Sequence, residues 1–193
     1  MRIVRVKTQW SKEGRDVSAE EVVGVLAFNA WRIGMQSMLE IEEERFDVTT
    51  QMQRIQIISE VMYLLVHILD RILYETVNDD DRAFLISTFA RKLSDHVHEN
   101  ARDFGKLDDY RTPFLNTLNE RLENFSATKW DEEKNVPAFS MAREFGMNIV
   151  DELGAKDREW ALDYIQQVLT PEIMDAFSKI LIKTGLLEKV QEE

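Results

Sequence analysis

The residues in this 193-residue chain best able to do chemistry are its three histidines, His67, His96 and His98. Two of them stand three positions before a carboxylate, in His67-x-x-Asp70 and His96-x-x-Glu99. On a helix that spacing puts an imidazole and a carboxylate on one face, the donor set of a zinc or non-haem iron site. Glu60, two helical turns before His67, is the fifth candidate ligand. Against this, the two pairs sit at different distances from the turn predicted near Asp79, an axial offset of roughly 7–8 Å at 1.5 Å per residue. Ligands of one ion must converge within about 2 Å of it.

Other constellations are thinner. Carboxylate-bridged di-iron bundles need Glu-x-x-His on two helices, but Leu64 and Leu93 precede His67 and His96 at that spacing. Only Asp95-x-x-His98 comes near, on a face predicted to point outward. There is no G-x-S-x-G elbow, phosphate-binding loop or G-x-G-x-x-G, so no cofactor is identified. Gly24, Gly34 and Gly146 lie within helical patterns and are expected to permit close helix packing. Phe28, Trp31, Met35 and Met38 are read as core before they are read as a ligand pocket.

Composition narrows the remaining classes. Thirty-six acidic residues against 24 basic ones give a net charge of -12, which disfavours nucleic acid as a partner. With no cysteine, thiolate sites and disulfides are excluded. No apolar run approaches the roughly 20 residues of a membrane span. MRIVRVKTQW has no secretory character, so a reducing, cytoplasmic setting is expected. Charge is segregated, because residues 1–17 carry Arg2, Arg5, Lys7, Lys12 and Arg15 against only Glu13 and Asp16. This basic arm, with some strand character in Ile3, Val4 and Val6, precedes an acidic body and is suited to docking on an acidic surface.

Seven glycines and three prolines leave few breakers, and the chain reads as helices. Ser18 and Glu21 form a capping box, with Val17 and Val22 placed as a hydrophobic staple. The helix they open is apolar on most faces up to Ile41 and ends in Glu40, Glu42, Glu43 and Glu44, a poor match to its dipole. A second helix runs from Thr50 to about Val77. Its stripes Ile55–Ile58–Met62–Leu65–Leu69–Ile72 and Ile57–Val61–Leu64–Ile68 merge into an apolar arc of roughly half the circumference. Opposite lies the polar stripe Gln53–Gln56–Glu60–Tyr63–His67–Asp70–Tyr74, expected to be the solvated face.

Asn78 to Asp81 then cap a third helix, with Ala83, Ile86, Ala90, Leu93, Val97, Ala101 and Phe104 on its inner face and Gly105 as its stop. His96 flanks that face. Thr112-Pro113 should open a fourth helix with Leu115, Leu118, Leu122 and Phe125 inward. Residues 126–136 form the longest expected loop, with Trp130 exposed among Asp131, Glu132 and Glu133. Pro137 opens a fifth helix, Asp157 a sixth, and Thr170-Pro171 caps a seventh that Gly185 ends.

The fold class is therefore all-α, an irregular bundle of six or seven helices built around an antiparallel helical hairpin at 50–104. Residues 18–193 read as one domain behind the arm 1–17, and a subdomain boundary would fall at 105–112. Function divides between two classes. One is a non-enzymatic protein-interaction protein, an adaptor or homo-oligomeric scaffold, using Trp130 and the arm residues Arg2, Arg5 and Lys7. The other is a metal-binding bundle or enzyme using Glu60, His67, Asp70, His96 and Glu99.

Overall fold

The computed structural model describes residues 18–74, 76–133, 136–154 and 158–187. The basic arm, and with it the Val17 half of the expected staple, lies outside them. The fold is an all-α bundle, in which α1 (Ala19–Glu43) opens on the expected capping box. Glu21 N donates to Ser18 Oγ at 3.2 Å, and Ser18 N donates back to Glu21 Oε2 at 2.9 Å. The chain leaves α1 through Arg45, whose φ of 65° turns it towards α2. In α2 (Gln51–Tyr74), Gln53 N donates to Thr50 Oγ1 at 3.1 Å, completing the second cap.

Helix α2 is the axle of the molecule. Helices α1, α3 (Asp79–Ala101), α4 (Arg111–Ser126) and α5 (Phe139–Glu152) all pack on it, and α1 also spans α3. Most of its side chains are consequently buried, including Ile57, Val61, Met62, Leu64, Leu65, Ile68 and Leu69. Gly34 lets α1 approach this closely, since a Cβ there would sit 2.9 Å from Ile58 Cγ2 and 3.3 Å from the Ile58 carbonyl oxygen. Gly146 plays the same part beneath Leu162, with 2.7 Å available. Gly24 does not, because a Cβ there would meet only Lys92 Nζ at 4.0 Å. Gly34→Ala is accordingly expected to push the two helices apart at a cost of about 1–3 kcal/mol. Thermal melts of the variant read that loss.

Several local expectations are corrected. In α3 the expected Ala90, Leu93, Val97 and Ala101 are buried, but so are Leu85 and Phe89, while Ala83 is exposed and Phe104, beyond the helix, is 58% exposed. The inner face is therefore rotated toward Leu85 and Phe89, because α1 and α2 share it. Asp109 rather than Thr112 caps α4, accepting from Arg111 N at 2.9 Å and Thr112 N at 3.3 Å. The segment after α4 is not simply a loop, since Trp130–Asp131 (β1) pairs antiparallel with Val136–Pro137 (β2) before α5 begins at Phe139.

The chain does not break between the sixth and seventh helices. Helix α6 (Arg158–Tyr164) runs through a π-helical turn at Ile165–Leu169 into α7 (Thr170–Thr184). Pro171 has no N–H to donate and its ring crowds the preceding turn, so the helix widens instead of stopping. Thr170 is no cap: its Oγ1 donates back to the Ile165 carbonyl at 2.8 Å. Gly185, with φ 76°, ends α7 as expected.

Candidate functional site

The polar stripe of α2 is covered over its middle, contrary to the solvated face its pattern predicts. Gln56 and Tyr74 near its ends are exposed, but Glu60, Tyr63 and His67 are only 3%, 4% and 6% exposed. Helix α4 forms the cover. Phe114 lies against Tyr63 with ring centroids 4.8 Å apart, and Phe125 lies against His67 at 5.5 Å. Between them Arg121 reaches Glu60, Nε lying 2.9 Å from Oε2 and Nη2 lying 2.8 Å from Oε1.

Both carboxylate oxygens of Glu60 are thus engaged by one guanidinium, a bidentate pair in a largely desolvated setting. Burial pushes the Glu60 carboxyl above the ordinary carboxylate range, and Arg121 opposes that shift. The neighbouring Tyr63 hydroxyl is raised beyond its ordinary value, by burial first and by Glu60 second. Glu152, at the end of α5, is likewise raised by burial and then by Glu60. His67 is lowered to about 4, by burial and then by the Arg71 charge. The cluster ties α4 onto α2, and a base whose lone pairs are already spent on a guanidinium is poorly placed to accept a proton from a substrate.

The five candidate ligands face five different environments. Glu60 is on Arg121 and His67 is on Phe125. Asp70 lies 3.8 Å from Nε of Arg82, in the first turn of α3. His96 stacks on Trp31 of α1 at 6.0 Å, and Glu99 is exposed. Among the described residues no three His, Asp or Glu side chains gather where they could hold an ion. His98 does not point outward but is half-buried, and its Nδ1 accepts from Tyr110 N at 3.4 Å. Trp130 is also half-buried rather than exposed, packed beneath Arg71, whose guanidinium carbon lies 5.8 Å from the ring centroid. Arg71 Nη2 holds Glu132 Oε1 at 2.8 Å, so this hairpin is tied down on α2. Of the expected interaction residues, Arg2, Arg5 and Lys7 lie outside the described residues.

The surface that the sequence did not reveal is on α1. Phe28, Met35 and Leu39 are 55%, 45% and 50% exposed, although the apolar character of the helix predicts core on most of its faces. With Arg32 they recur at spacings of 4, 3 and 4, forming one stripe on the side turned away from α2. Beside the stripe, α1 and α7 enclose a groove of about 480 Å³, floored by Ile33, Ile173, Ala176 and Ile180. Glu40 and Glu172 face each other at one end of this groove. The Glu172 carboxyl is raised by desolvation and then by Glu40. Tyr164 nearby is raised to about 12 by burial and by the field of Glu40, Glu44, Glu172 and Glu43.

A second groove, of about 540 Å³, lies between α3 and α4, walled by Ala83, Ile86, Ala90, Leu115, Leu118 and Leu122. Among the described residues no helix is long and apolar enough to cross a membrane. Compared with known proteins, the chain matches no family model, no curated protein and no solved structure.

Proposed function

We propose that the protein is a non-enzymatic interaction protein that works by self-association through the outer face of α1 and its groove with α7. The observation that carries this reading is the stripe Phe28–Met35–Leu39, three large apolar side chains each about half in water and aligned on one helix. Scattered apolar residues on a surface need no explanation, but a contiguous row beside an apolar groove has the composition of an interface. A row repeating at helical spacing is also self-complementary under a two-fold axis, the commonest symmetry of soluble oligomers.

Sedimentation tests it. The full chain should reach a dimer or a higher closed oligomer at concentrations on the order of tens of micromolar, the range of a modest interface. Met35→Glu with Leu39→Glu, both at exposed positions, should give a monomer with an unchanged helical spectrum. A monomeric full chain at those concentrations would remove the reading. The metal-binding alternative rests on the sequence spacing of Glu60, His67, Asp70, His96 and Glu99. Stoichiometric zinc, iron or manganese in unchelated protein would restore it.

A further inference from the structure

The α1–α7 groove has an apolar floor and a strongly acidic end that the described residues leave uncompensated. Glu42 is paired with Arg54, whose Nε lies 2.8 Å from Glu42 Oε1. Glu40 accepts from the neutral amide of Gln36 at 2.9 Å and is hydrogen-bonded to the Glu172 carboxyl, so neither contact brings a cation to it. Among the described residues no lysine or arginine pairs with Glu40, Glu43, Glu44 or Glu172, and the last turn of α1 contains no basic residue. These acids therefore add to the negative end of the α1 dipole instead of offsetting it. Arg32, the one cation among the described residues of the groove wall, lies two turns away from Glu40 on α1.

The same chain contains one segment of the complementary chemistry. Residues 1–17 combine five cations with Ile3, Val4, Val6 and Trp10, and they enter α1 at Ser18. We propose that the groove between α1 and α7 is the receptor for the basic arm of a second copy of this chain. The apolar arm residues would occupy the floor and the arm cations would lie against Glu40 and Glu172. This inference rests on the self-association reading and names the contact that drives it.

Geometry favours the second copy over the arm's own body. Within one molecule the arm must run back along α1 from Ser18 to Glu40, roughly 33 Å at 1.5 Å per residue, before its cations meet the acids. That consumes about ten of its residues even at full extension. A two-fold axis perpendicular to α1, passing just outside the middle of the Phe28–Leu39 stripe, sets the two α1 helices antiparallel. Phe28 then faces the partner's Leu39, and each arm leaves Ser18 close to the other copy's acidic end. The bridging distance falls to roughly 14 Å, which about five extended residues cover. Lys12, Lys7, Arg5 and the apolar residues are then all available to the groove. Each arm seats in the other copy's groove, so the exchange closes on itself.

The test uses the full chain, a form lacking residues 1–17, and the charge reversal Glu40→Lys with Glu172→Lys in each. Sedimentation reads the dimer, and a fluorescently labelled peptide of residues 1–17 is titrated into the truncated form. Truncation and charge reversal are each expected to weaken dimerisation at least about tenfold, and reversal should weaken the peptide by a similar factor. Peptide binding should also fall as salt rises, since its electrostatic part is screened. Glu40→Gln with Glu172→Gln should give an intermediate loss, and it carries the test if the reversed chain fails to fold. A dimer of unchanged strength after truncation and after reversal overturns the arm–groove contact while leaving self-association standing. Peptide that binds the reversed groove equally well overturns it too. A monomeric full chain whose truncated form binds the peptide places the arm on its own body, and overturns both this inference and the reading beneath it.

Discussion

Arg121→Ala is expected to lower the stability of the protein by about 3 kcal/mol at neutral pH, near the lower bound for breaking a buried pair, because Arg121 keeps some contact with water. For a chain of this size the melting temperature should drop by roughly 6–12 °C. The loss arises less from the missing attraction than from what stays behind. Glu60 remains 3% exposed with no guanidinium to take up its oxygens, and a desolvated carboxylate without a partner costs far more than one in water.

The pH dependence of the variant follows from the same balance. Burial already holds the Glu60 carboxyl above its ordinary value of 4.5, and the two leading opposing effects both come from Arg121. Without the guanidinium the folded-state value must rise further. Between the unfolded value and that raised one, the native state holds a proton that the unfolded chain has released. Stability therefore falls as pH rises through this window and is recovered on acidification. Urea denaturation of Arg121→Ala should accordingly show its largest deficit at pH 7–8 and a smaller one at pH 5. A deficit equal at both ends would mean that the pair does not anchor α4. Glu60→Leu with Arg121→Met should restore most of the stability, since apolar residues of similar volume often replace a buried pair without loss.

The bundle itself is legible in the sequence because its helices advertise themselves locally. Ser18 and Glu21, Thr50 and Gln53, and Asn78 all cap where their types predict, and Gly185 adopts the left-handed conformation its position implies. The burial of the polar stripe on α2 is a tertiary fact. A stripe of glutamate, tyrosine and histidine opposite an apolar arc is what a solvated face looks like, and only the partner helix says otherwise. A signal was present in α4: Phe114, Leu118, Arg121 and Phe125 fall on one face at spacings of 4, 3 and 4. An arginine set within an otherwise apolar stripe must bury a carboxylate partner or disrupt the packing, and Glu60 is that partner. The exposed face of α1 is hidden from the sequence for the opposite reason. Its residues are apolar on nearly all sides, and periodicity alone does not reveal that α2, α3 and α7 leave one side of the helix open.

Acid lability is expected to come from His67, and with the opposite sign to Glu60. Burial, and then the Arg71 charge, lower its folded-state value from 6.5 to about 4. The unfolded chain takes up a proton as pH falls through 6.5, while the native state resists until about 4. Stability is therefore full above the unfolded value and is lost progressively across that window, by roughly 3 kcal/mol at most. The proton would charge a ring packed on Phe125, 5.5 Å away, so the loss should appear first as loosening of α4 from α2. His67→Leu removes the titrating group and keeps an apolar side chain against Phe125. It should cost little at pH 7.5 and abolish the decline between pH 6.5 and 4. What remains in that variant includes the raised carboxyls of Glu60, Glu152 and Glu172, each of which favours the folded state as protons are added. Its stability should thus hold level or rise on acidification where the parent falls. Hydrogen exchange at α4 amides, followed against pH in both chains, reads the two signs separately. A decline of equal depth in His67→Leu would show that the acid transition belongs to other groups and that His67 is silent beneath its cover.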